Sequence, residues 1–120
     1  MATWDDVLAI AGTLPRAVAG RAPDDAPTYI IGRHPFARLR WADDGREILQ
    51  FWTMGPGTAE IFAGRRDTFF RIDSFKVKAS VWAWLDRLDE EELTEILAES
   101  HHARRGARER RRIADQGPDQ

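Results

Sequence analysis

The stretch Ala79–Ala103, ASVWAWLDRLDEEELTEILAESHHA, decides the fold. It reads as a strand running into a capped amphipathic helix. Over Ser80–Leu85 the alternation puts Val81, Ala83 and Leu85 on one face and Trp82 and Trp84 on the other. Both faces are apolar, which predicts an inner strand covered on both sides. Asp89 stands where a helix N-cap belongs, and Glu92, three residues on, is the expected capping-box partner. Leu88 and Leu93 have the spacing of a hydrophobic staple. Leu93, Ile96, Leu97 and Ser100 then follow at i, i+3, i+4 and i+7, a core-facing stripe. Glu90, Glu91 and Glu92 crowd the positive end of this helix, where a solvated, dipole-matched first turn accounts for them without a metal or a partner.

Upstream, Thr3 is a plausible N-cap, with Asp5 and Asp6 in the first turn of a helix that buries Trp4, Val7, Leu8, Ala11 and Leu14 and stops at Leu14-Pro15. Arg16–Pro27 holds two prolines, a glycine and an Asp pair, and reads as a loop. Three strands are expected next, as an antiparallel meander. Thr28–Ile31 is β-branched and aromatic. In Phe36–Trp41, Ala37, Leu39 and Trp41 share one face and Phe36, Arg38 and Arg40 the other. Asp43-Asp44-Gly45 is a hairpin turn leading to Glu47–Thr53. Gly55-Pro56-Gly57 breaks the sheet before a short helix, Thr58–Ala63, with Ile61 and Phe62 as its buried residues. Thr68–Ile72 reads as another strand, and Asp73–Lys78 as a polar connection. The expected layout is a domain over residues 1–105 and a basic, disordered tail over 106–120.

Composition narrows the function classes. The 120 residues suit one α+β domain with its own core. There is no cysteine, so disulfides, thiolate catalysis and cysteine metal sites are excluded. The N-terminus MATWDDVLAIAG lacks a basic leader, and no apolar run has the roughly 18 residues of a membrane helix, so a cytoplasmic protein is expected. Net charge is −2, unevenly spread: residues 33–78 carry nine basic against six acidic side chains, and residues 104–120 six against three.

Most candidate chemistry fails on spacing. His101 and His102 are adjacent, point about 100° apart on a helix, and read as a surface pair near a helix C-terminus rather than as metal ligands. His34 lies beside Pro35 in a turn, with no partner that suggests catalysis. Gly55-Pro56-Gly57-Thr58 lacks the lysine and the spacing of a phosphate loop, and no serine sits in a nucleophile elbow. The expectation is therefore no catalytic residue, no metal and no cofactor. What stands out is a basic hairpin: Arg33, Arg38, Arg40 and Arg46 with Phe36 among them, and Lys76 and Lys78 beside Phe75 on a second loop. Cations interleaved with aromatics can hold phosphates and stack on bases.

The order of parts resembles the MmcQ/YjbR-like family. The residues that carry the resemblance are TWDDVLAIAGTLPRA, the strand Phe36-Ala37-Arg38-Leu39 within GRHPFARLRW, and Leu85-Asp86 followed by Glu91-Glu92-Leu93 and Ser100. It spans roughly Trp4–Arg105. It implies an antiparallel sheet packed by N- and C-terminal helices and carries over no enzyme activity. It also implies a DNA-binding-like role, through two projecting β segments that suggest a double wing. Many members have a His/Asn/Lys-rich run before the last strand; here Asp73–Lys78 keeps the positive charge without the His and Asn. The expectation is weak, non-specific DNA binding, with Arg33, Arg38, Arg40, Lys76 and Lys78 on phosphates. The alternative is a protein–protein interaction or dimerisation module that never meets nucleic acid.

Overall fold

The computed structural model describes residues 1–72 and 79–106. The elements run α1 (Trp4–Ala11), β1 (Ala17–Arg21), β2 (Pro27–Ile31), β3 (His34–Trp41), β4 (Glu47–Trp52), α2 (Pro56–Ala63), β5 (Phe69–Phe70), β6 (Ser80–Trp84), a 3₁₀ turn (Leu85–Arg87) and α3 (Glu90–Arg104). The six strands form one sheet in the order β1-β2-β3-β4-β6-β5, every neighbouring pair antiparallel. The class is α+β, as the sequence predicts.

Helices from both ends of the chain pack on one face. Trp4, Val7 and Ala11 of α1, Ala59 of α2, and Leu93, Ile96 and Leu97 of α3 share a core with Ala37, Leu39, Leu49, Phe51, Phe69, Val81 and Ala83 of the sheet. The predicted start of α3 is in place: the Asp89 side chain accepts a hydrogen bond from the Glu92 N–H at 2.8 Å, and Leu88 and Leu93 are both buried. The capping box is only half made. The Glu92 carboxylate pairs instead with Arg65, which follows α2 and so ties the two helices together.

Local rules fail where distant partners intervene. The segment expected as a loop contains β1, an edge strand in five-residue register with β2. It is bracketed by Arg16 and Asp25, both at positive φ, and Gly20 lies so close to β2 that an added Cβ would meet Ile30 Cδ1 at 2.8 Å. A bulge in the β2–β3 ladder puts Phe36 and Ala37 on the core side in succession, which overturns the expected alternation at Phe36. At the opening this makes, the Ser100 hydroxyl donates to the Phe36 carbonyl at 2.6 Å and accepts from the Trp52 N–H at 2.9 Å.

His101 is a second correction. It is buried rather than surface-exposed, and its Nε2 lies 2.7 Å from the Pro15 carbonyl, edge-on to Phe36. A carbonyl only accepts, so this nitrogen carries the proton. In α2, Ala59 is buried and Phe62 packs against the core as expected, while Ile61 points to solvent. The α1 helix ends three residues before Leu14, and β5 is reduced to two residues.

Candidate nucleic-acid interface

The other face of the sheet carries no helix among the described residues. Cross-strand register builds it. Thr28, Arg38, Gln50, Trp82 and Phe70 form one row straight across β2, β3, β4, β6 and β5. Arg40, Ile48 and Trp84 form the next row, and Trp52 stands opposite Ser80 beyond the first. The second covering predicted for β6 is therefore a layer of arginines and rings, not a helix.

Each arginine is positioned by a ring, an oxygen or a carboxylate. Arg38 donates from Nε to the buried Thr28 hydroxyl at 3.1 Å, with its guanidinium 6.0 Å from the Trp52 ring. Arg104, at the end of α3, donates to the Pro35 carbonyl at 2.9 Å and lies 4.9 Å from the same ring. Burial holds both guanidinium groups below the ordinary arginine range; for Arg38 the nearby Arg40 and Arg104 push in the same direction, and Asp24 opposes. Arg40 is paired with Asp24 at 2.6 Å, and that hydrogen bond lowers the Asp24 carboxyl. Arg46 grips Asp86 through two bonds of 2.9 and 2.7 Å and lies 4.0 Å over Trp84. That bond holds Asp86 low and Arg46 high.

Of the five predicted contact residues, the sheet brings two together, Arg38 and Arg40. Arg33 is exposed in the β2–β3 turn, about 16 Å from Arg38 along the strand at ~3.3 Å per residue. Lys76 and Lys78 lie outside the described residues, as does residue 107 onward of the expected tail. The β3–β4 hairpin is the centre of the sheet and not a projecting wing, so its arginines address a flat face.

Sequence reasoning missed Arg104, which it gave no role at the end of the domain, and Asp24, which it placed in a loop without a partner. It also missed Gln50, whose signal was present: one carboxamide inside the run Ile48-Leu49-Gln50-Phe51-Trp52, at a position fully enclosed in the fold. Both polar atoms of Gln50, the Trp52 Nε1 and the Ser80 Oγ are buried without a hydrogen-bond partner. A cavity of about 320 Å³ opens on this face, lined by Arg40, Gln50, Phe70 and Trp82 and, at the end of β3, by the exposed Trp41, which alternation places on the face of Ala37 and Leu39. Among the described residues no group of His, Asp and Glu could hold a metal ion, and no helix is long and apolar enough to cross a membrane.

Neither a family model nor a curated protein matches the chain. Among solved structures, the crystal structure of Deinococcus radiodurans protein DR2400, with a DUF419 domain, is similar over 95% of this chain and 89% of that one. The TM-score is 0.76 at 19% sequence identity. DUF419 is also known as YjbR/MmcQ-like, so the predicted fold is found in a structure of the family that the sequence resembles.

Proposed function

We propose that this chain is an MmcQ/YjbR-like protein that binds single-stranded nucleic acid on the open face of its sheet, without catalysis. The observation that carries the reading is the interleaving of guanidinium groups and aromatic rings on one face that carries no helix among the described residues. Arg38, Arg40 and Arg104 supply charge for phosphates, and Trp41, more than half exposed, and Phe70 supply surfaces on which bases stack. A sheet face suits splayed bases better than a duplex, because no helix on it among the described residues stands ready to enter a groove. Asp24 already pairs with Arg40, and Asp86 with the neighbouring Arg46, which keeps the expected affinity weak.

The test is a salt series of oligonucleotide titrations on the full chain, single strand against duplex. The expected result is weak, salt-sensitive binding that favours the single strand. Replacing Arg38 and Arg40 together by Gln is expected to flatten the log–log salt slope by about 1.4 for a single strand. A second variant, with Arg108, Arg110, Arg111 and Arg112 changed to Gln, separates the face from the basic tail. If the tail variant abolishes binding and the face variant does not, the face is not the interface. No binding of any strand at low salt leaves the protein-interaction module as the reading.

A further inference from the structure

Gln50 has a chemistry that simple phosphate binding does not use. It sits at the middle of β4, in register between Arg38 and Trp82, with no exposed surface. Neither its Oε1 nor its Nε2 has a hydrogen-bond partner. A buried amide left this way carries its full desolvation penalty, whereas leucine, of similar volume, would carry none. As a sheet residue alone, then, Gln50 is a poor choice. As a lining residue of the open-face cavity it presents a donor and an acceptor side by side.

The rest of the cavity narrows what could pair with that fork. Trp41, Phe70 and Trp82 form aromatic walls, and Ile48 and Ile72 add apolar surface, so the ligand is flat and largely apolar in its body. Arg40 stands at the rim and can meet an anionic group attached to that body. Gln50 itself is enclosed, so a ligand reaches it only if the outer wall moves; that wall is Arg40, 31% exposed and paired with Asp24, and Trp41, 55% exposed. A planar ring with neighbouring donor and acceptor atoms on one edge and a phosphate attached is a nucleotide. A glutamine amide matches the N6/N7 edge of adenine with two bonds; unpaired cytosine and uracil also offer an adjacent donor and acceptor, and the long aromatic wall favours the larger purine ring over them.

We infer that this cavity is a base-reading pocket, in which Gln50 pairs with an adenine edge, the ring lies along the aromatic wall and the phosphate meets Arg40. The inference rests on the open face being the nucleic-acid interface, and it turns a sequence-tolerant surface into one with a single selective position.

The test uses the full chain and its own tryptophan fluorescence. Titrants are adenosine, cytidine and uridine monophosphates, inorganic phosphate, and homopolymeric DNA strands of one length in each base. The pocket predicts that adenosine monophosphate binds roughly tenfold or more tighter than cytidine monophosphate or inorganic phosphate, and that the adenine strand outcompetes the others. Gln50→Leu is expected to erase that ratio while raising the melting temperature, because it removes an unpaired buried amide. Equal affinity for all strands overturns the pocket and leaves the interface standing. Selective binding of adenosine monophosphate without binding of any strand supports the pocket and overturns the interface. A Gln50→Leu protein that keeps the adenine preference, or one that melts lower than the parent, overturns the inference, the second because it shows the amide to be holding the sheet.

Discussion

The two faces of this sheet use the same strands and obey different rules. On the helix side, Leu39, Leu49, Phe51, Phe69, Val81 and Ala83 are enclosed by α1, α2 and α3, and stability there comes from apolar packing. On the open side, Trp52, Trp82 and Gln50 are also nearly inaccessible, yet Trp52 lies under the arginines Arg38 and Arg104 and several polar atoms lack partners. Burial alone therefore does not distinguish a core from a binding surface. The satisfaction of polar groups does: on the helix side the buried Ser100 hydroxyl is closed with two bonds, and the open side leaves four buried side-chain atoms of Gln50, Trp52 and Ser80 unpaired.

The sharpest way to break this comparison is to truncate one ring on each face. Phe51→Ala empties the fully buried junction where Phe51 meets Phe62 and Phe69 edge-on, and is expected to lower unfolding free energy by about 3–5 kcal/mol in denaturant titration. Trp84→Ala on the open face, where the residue is only partly buried beneath Arg46, should cost clearly less. Equal losses would make the open face a second core. Ser100→Ala comes next. It leaves the Trp52 N–H and the Phe36 carbonyl without their shared partner, at about 1–3 kcal/mol by the same assay, and an unchanged midpoint would show that β3 and β4 close without it. Asp89→Ala removes the α3 cap at about 0.5–2 kcal/mol, with loss of helix signal in circular dichroism as a second readout.

The smallest expected effect is on the open face and depends on pH. Arg40 lowers the Asp24 carboxyl and Arg46 lowers the Asp86 carboxyl below the ordinary value of 3.8. A group whose folded pKa is depressed stabilises the fold above its unfolded pKa, and that contribution is lost as pH falls through the folded one. Denaturant midpoints followed from ~pH 6 to ~pH 3 should therefore fall less in Asp86→Asn than in the parent chain. An identical acid limb would show that the Arg46 clamp has no energetic consequence in water.

What could be read from the chain by itself was what neighbours in sequence decide. The α3 cap needs only Asp89 and the N–H three residues on. The β3–β4 turn needs only a glycine able to adopt φ +89° at Gly45. The face assignments of β6 and the stripe of α3 follow from the periods of strand and helix, and the burial of Val81, Ala83, Leu93, Ile96, Leu97 and Ser100 agrees with them. The misreadings that reshape the fold depend on partners far away in the chain. The strand β1 has little apolar bulk and exists because β2 offers its edge. His101 is drawn inward by the Pro15 carbonyl, 86 positions distant, and Phe36 turns into the core because the β2–β3 ladder slips by one residue. The candidate site belongs to this second kind. Arg38 and Arg40 were visible as cations, but Asp24 on Arg40, Arg104 beside Trp52 and the unpaired amide of Gln50 come together only when five strands lie in register and α3 ends next to β3. Local backbone preferences carry no information about such pairings, because the free energy that selects them is released only when the distant surfaces meet.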